Sequence, residues 1–61
     1  MMLRLWDVDG HEVHLTANEF FEGNVDLVGT EVEDAIRSLR VGETYNGGGG
    51  AQPEWSVRRV D

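Results

Sequence analysis

The sequence predicts an α+β fold. We expect a small antiparallel sheet of two hairpins, about four strands, with one main α-helix packed on one face, in the order ββ(short α)αββ. Two stretches that alternate in polarity, 2–16 and 43–60, each broken by glycine, predict the hairpins. Between them Val32, Ala35, Ile36 and Leu39 recur at the i, i+3, i+4, i+7 spacing of one buried helical stripe.

The first hairpin turns at Asp9-Gly10, and two registers compete. A two-residue turn pairs Leu5 with His14 and sets Asp7 opposite Glu12, a destabilising like-charge pair. A three-residue loop, with a type I turn at Val8-Asp9 and Gly10 in the left-handed bulge position, pairs Leu5 with Val13 and Leu3 with Leu15. It also puts Asp7 beside His11. A slip of one residue flips every side chain, so the apolar face Leu3, Leu5, Val13, Leu15 selects the bulged register. Arg4, Trp6, Glu12 and His14 then share the other face.

Thr16-Ala17-Asn18-Glu19 has capping-box spacing and predicts a short helix over 17–22, carrying Phe20 and Phe21 and ended by Gly23 in a left-handed turn. Asn24 to Gly29 reads as a connector whose Val25, Leu27 and Val28 tuck against the core. Thr30 and Glu33 repeat the capping box before the main helix, 31–40. Glu31, Glu33 and Asp34 suit its N-terminal dipole, Arg37 and Arg40 its C-terminal one, and Gly42 is the expected stop. Glu33 and Arg37 form a favourable i, i+4 pair. Strands follow at 43–46 and 54–60, with Pro53 where a missing N–H is tolerated and Gly47 to Gln52 as the loop between them. Trp55, Val57 and Arg59 point one way along the last strand. The expected core is Leu3, Leu5, Val13, Leu15, Phe20, Val32, Ile36, Leu39, Trp55 and Val57.

Residues 1–61 read as a single small acidic domain. At this length the core is marginal, which makes self-association into a homodimer an alternative to weigh. Without cysteine there are no disulfides and no thiolate metal sites. No apolar run approaches a membrane span, and the first residues lack the basic and long apolar regions of a signal peptide, so a cytoplasmic protein is expected. Twelve acidic residues against five basic ones give a formal net charge of −7. That sign opposes direct binding to nucleic acid or anionic membranes and favours a basic protein surface as partner. All five cations are arginine, which a GC-rich genome explains. Acidity without lysine also suits a salt-loving host, in which the charge serves solvation alone.

The motifs that resemble chemistry do not carry it. Four consecutive glycines, 47–50, are followed by Ala51-Gln52-Pro53 and a strand, whereas a phosphate cradle needs a helix N-terminus and usually a lysine. His11-Glu12-Val13-His14 is one residue short of the zinc-protease spacing, and on a strand its histidines face opposite ways. Asp7-Val8-Asp9-Gly10 resembles the start of a calcium loop, but its glycine comes too early and no bidentate glutamate follows at the right distance. Arg58-Arg59 faces both sides of a strand, and pairing with Glu43, Glu54 or the acidic helix explains it better than a nucleic-acid footprint. We therefore expect no catalytic, cofactor or metal residues and no enzyme.

Two features remain: clustered carboxylates, and a tryptophan off the leucine face. The expected partner-binding residues are the helix start Glu31, Glu33 and Asp34, the hairpin end Asp7, Asp9 and Glu12, and Trp6 as an aromatic anchor. The expected function is a stoichiometric inhibitor or adaptor that occupies a basic, nucleic-acid-binding surface of another protein. Small, cysteine-free acidic domains are common among phage anti-defence proteins, including anti-CRISPR proteins, a likeness of size and charge. The alternative is a homodimeric accessory domain whose Trp and Phe residues form the self-interface.

Overall fold

The computed structural model describes residues 1–7, 9–49 and 52–61. The chain forms strands β1 (Met2–Trp6) and β2 (Glu12–Thr16), helix α1 (Ala17–Glu22), a 3-10 turn (Val25–Leu27), helix α2 (Glu31–Arg37), and strands β3 (Thr44–Gly49) and β4 (Gln52–Arg59). The four strands make one antiparallel sheet in the order β2-β1-β4-β3. The fold is thus α+β.

The bulged register is the one that forms. Leu3 lies opposite Leu15 and Leu5 opposite Val13, and the Gly10 N–H donates to the Asp7 carbonyl with Gly10 at φ +80°. Asp7 Oδ1 accepts from the N–H groups of Asp9 and His11, each at 2.9 Å. This Asx-type turn costs no side chain of its own strain, because glycine alone occupies the left-handed position. Val8 lies outside the described residues.

The first capping box also forms. Glu19 N–H donates to Thr16 Oγ1 at 3.1 Å and Thr16 N–H to Glu19 Oε1 at 2.8 Å, and α1 spans 17–22 as expected. Gly23 is right-handed, φ −83°, rather than left-handed. The Asn24 side chain takes over the termination by donating to the Phe20 carbonyl at 2.8 Å.

The second box does not form. The Thr30 hydroxyl donates backward to the Leu27 carbonyl at 2.5 Å, and it accepts from no N–H of the helix. Glu33 reaches past it to the N–H of Gly29 at 2.9 Å. α2 ends at Arg37 with Ser38 as its cap, short of the expected Arg40. Gly42 (φ +91°) instead serves a turn in which the Glu43 N–H meets the Arg40 carbonyl.

One cluster makes the core: Leu3, Ala17, Phe20, Phe21, Ile36 and Val57, with Leu5, Leu15, Leu27, Val32, Leu39, Tyr45 and Trp55 packed on it. α1 supplies three of the buried side chains and α2 only Ile36, so the helical layer is shared between two short helices. Val13 departs from the expected core and is 50% exposed. It sits on edge strand β2, toward the hairpin end and away from Thr16, where α1 begins. Val25 and Val28 are exposed as well, because the 3-10 turn buries only Leu27 among the apolar residues of the connector.

Most of the expected loop at 47–52 is strand. Gly47 lies opposite Trp55, and a β-bulge follows between Gly47 and Gly49, with Gly48 at φ +77°. Gly50 and Ala51 lie outside the described residues. A Cβ on Gly47 would stand 2.1 Å from the Trp55 ring. The indole thus covers bare backbone, with Phe20 at 5.8 Å and Tyr45 at 5.9 Å between ring centroids. Gly47 serves packing and Gly48 the bulge.

Candidate functional site

The sheet has two chemically distinct faces, because side chains alternate along each strand. Leu3, Leu5, Val57 and Tyr45 face the helices and join the core. Arg4, Trp6, Glu12, His14, Ser56 and Arg58 occupy the other face, and none belongs to the core cluster. Trp6 is half-buried there, with the Arg4 guanidinium 5.5 Å from its ring centroid. Trp6 thus lies off the leucine face, as the register requires.

The twelve carboxylates divide by what they touch. Six hold the fold together. Asp7 closes its turn, Glu19 its capping box, and Glu12 pairs with Arg4. Glu33 binds Gly29 N–H and Arg37 Nε, both at 2.9 Å. Glu43 accepts from Arg40 N–H and Asp61 from Met2 N–H. These contacts cost Glu33 its availability. The Gly29 amide first, and then the Arg37 guanidinium, hold its carboxyl below the ordinary value of 4.5.

The other six, Asp9, Glu22, Asp26, Glu31, Asp34 and Glu54, are exposed, and their carboxylates make no hydrogen bond or ion pair among the described residues. Four of them, Glu22, Asp26, Glu31 and Asp34, fall on α1, the 3-10 turn and α2, and the 3-10 turn packs against both helices. All four are therefore exposed carboxylates of the helical layer.

The expected partner-binding residues therefore separate into two groups. Asp7, Asp9, Glu12 and Trp6 gather at the β1-β2 hairpin, with Trp6 and Glu12 directly opposite each other. Glu31, Glu33 and Asp34 lie on α2, in the layer against the other face of the sheet. Of the seven, only Asp9, Glu31 and Asp34 have uncommitted carboxylates. Glu22 and Asp26 are part of the acidic set in the sequence, with Glu19, but not among the expected partner-binding residues. A signal for them exists: no arginine or lysine occurs between Arg4 and Arg37, so acids in the middle of that stretch have no cation within a helical turn.

One atypical cluster sits in the hairpin loop, where carboxylate oxygens of Asp7 and Asp9 and a nitrogen of His11 lie within 4.8 Å of one another. All three residues are exposed. The same Asp7 side chain closes the turn and stands 3.5 Å from His11 Nδ1, so turn chemistry accounts for the cluster.

Arg58 and Arg59 are not paired with carboxylates among the described residues. Arg59, on the core side, donates to the carbonyls of Leu39 at 2.8 Å and Asp61 at 2.6 Å. Arg58 projects from the open face as the cross-strand partner of Arg4. No helix among the described residues is long and apolar enough to cross a membrane.

Comparison of the chain with protein-family models, with curated proteins and with solved structures finds no match.

Proposed function

We propose that the protein is a small protein-binding module, a stoichiometric inhibitor or adaptor whose acidic helical layer occupies a basic, nucleic-acid-binding surface of a partner. The supporting observation is the sorting of carboxylates. Glu22, Asp26, Glu31 and Asp34 stand exposed on adjoining elements and make no ion pair among the described residues. Such an array raises the rate of encounter with a positive surface and suppresses anionic partners. A domain of this size and charge fits the phage anti-defence, anti-CRISPR-like class of inhibitor. The module acts in the cytoplasm on a protein with a basic surface, and neither nucleic acid nor membrane is bound directly. The module is not an enzyme.

The homodimer alternative is left with less surface than the sequence suggests. Phe20 and Phe21 are 2% and 4% exposed within one chain, and Trp55 packs on the core. Trp6, on the open sheet face, is the aromatic that stays outside the core cluster.

The test is capture of a partner from host lysate, followed by competition. Nucleic acid should displace the module from the captured protein. The variant Glu22→Gln, Asp26→Asn, Glu31→Gln, Asp34→Asn should fold and capture less of the partner. Undiminished capture by that folded variant, with loss in Trp6→Ala, would move the interface to the open sheet face and overturn the reading.

A further inference from the structure

Two arginines meet on the open face of the sheet. Arg4 and Arg58 are cross-strand partners on the two central strands, β1 and β4. Like charges directly opposite each other on a sheet are destabilising, and arginine cannot relieve the repulsion by losing its proton. The pair persists in a chain with six uncommitted carboxylates, none of which is brought to it.

Arg4 is partly compensated. Its Nε pairs with Glu12, and His14 Nε2 lies 3.3 Å from the same nitrogen. Both contacts use Nε, so the two terminal amino groups of Arg4 make no hydrogen bond among the described residues. Arg58 is exposed, and its whole guanidinium is without a hydrogen-bond or ion-pair partner among the described residues.

Both line a shallow groove of about 350 Å³, together with Val41, Gly42, Arg59 and Val60. The Arg59 guanidinium is already held by the carbonyls of Leu39 and Asp61, which leaves Arg4 and Arg58 as the charged donors. Val41 and Val60 add exposed apolar surface beside them.

We propose that this groove is an oxyanion-binding site, with Arg58 and the terminal amino groups of Arg4 donating to a phosphate or carboxylate group of a ligand. Planar guanidinium forks match such oxygens two at a time, and an anion between them turns the Arg4–Arg58 repulsion into attraction. Glu12 lies on the Nε side of Arg4. The site is separate from the acidic helical layer and stands whether or not that layer binds a basic partner.

The test uses the isolated protein and follows the five arginine Nε–Hε signals by NMR while inorganic phosphate, acetate or chloride is added at constant ionic strength. Saturable shifts confined to Arg4 and Arg58 are expected with an oxyanion and not with chloride. Saturation by phosphate alone assigns a phosphate-bearing ligand, and saturation by acetate alone a carboxylate. Arg58→Gln should weaken binding roughly tenfold or more, and Arg40→Gln, outside the groove, should leave it unchanged. Shifts that stay linear, that chloride reproduces, or that saturate in Arg58→Gln at the wild-type concentration overturn the site. An Arg58→Gln protein that fails to fold leaves the wild-type titration to decide the matter alone.

Discussion

Replacing Gly47 by alanine tests how the second hairpin is built. The new Cβ would lie 2.1, 2.3 and 2.6 Å from three carbons of the Trp55 ring, far inside any tolerable contact. The ring cannot step aside freely, because it packs against Phe20 and Tyr45 at centroid separations of 5.8 and 5.9 Å. Overpacking a fixed neighbour costs about 1–3 kcal/mol, and disturbing aromatic pairs adds about 0.5–1.5 kcal/mol. A loss of about 2–4 kcal/mol is expected from the two together. A domain of this length has only roughly 3–9 kcal/mol in total. Thermal unfolding followed by circular dichroism should therefore show Tm falling by about 10–25 °C, at about 4–8 °C per kcal/mol. Gly23→Ala is the control. Gly23 is right-handed at φ −83°, and its added Cβ meets nothing nearer than 3.8 Å. That variant should hold or gain about 0.4–1 kcal/mol through a less flexible unfolded chain. If Gly47→Ala melts within a few degrees of wild type, Trp55 does not lie on Gly47 and the packing described here is wrong.

The two threonines that precede helices should behave differently in urea titrations. Thr16→Ala removes a working cap and should cost about 1 kcal/mol, whereas Thr30→Ala should cost less than about 0.5 kcal/mol, since an exposed hydroxyl that donates backward is lost; equal costs would refute this assignment of caps. The adjacent arginines should separate as well. Arg59→Met strips donors from the partly buried Leu39 carbonyl and should cost about 1–3 kcal/mol, while Arg58→Gln on the open face should stay within about 0.5 kcal/mol; the reverse order would invert the faces of β4. Glu33 supplies a pH dependence. Its carboxyl is held below 4.5 in the fold by Gly29 N–H and Arg37, so the ionised form stabilises the folded state. That contribution is full above the unfolded value and is lost as the pH falls through the folded one. The Tm difference between wild type and Glu33→Gln should be constant at neutral pH and shrink below 4.5, and a difference that does not change there would contradict it.

Local chemistry was legible in the sequence, and long-range partnership was not. The β1-β2 register followed from an apolar face and a glycine within one hairpin, and the Thr16–Glu19 box from spacing alone. The Thr30–Glu33 box has the same spacing and failed, because the Leu27 carbonyl of the preceding turn captures the hydroxyl. No local pattern signals that turn. Phe21 and Ala17 entered the core because α1 follows an edge strand directly and folds back over the sheet, which the length of the helix does not reveal. Gly47 to Gly49 read as loop because glycine has low strand propensity. Trp55 overrides that by supplying the missing side-chain surface from the opposite strand. The acidic character of the candidate surface was plain, but which carboxylates stay uncommitted depends on contacts such as Glu33–Gly29. The Arg4–Arg58 pair depends on β1 lying beside β4, a contact between the two ends of the chain.

The central claim is that uncommitted carboxylates on the helical layer supply the binding. The most direct measurement is the affinity for a captured partner as a function of salt, for wild type and for the variant Glu22→Gln, Asp26→Asn, Glu31→Gln, Asp34→Asn. Four fewer carboxylates take the formal net charge from −7 to −3. All four are exposed, so thermal unfolding should show the variant folded. Its association should be slower at low salt, and the slope of log affinity against log salt should flatten. A folded variant with the wild-type slope and the wild-type association rate would contradict the claim, leaving the acidity of this protein to solvation.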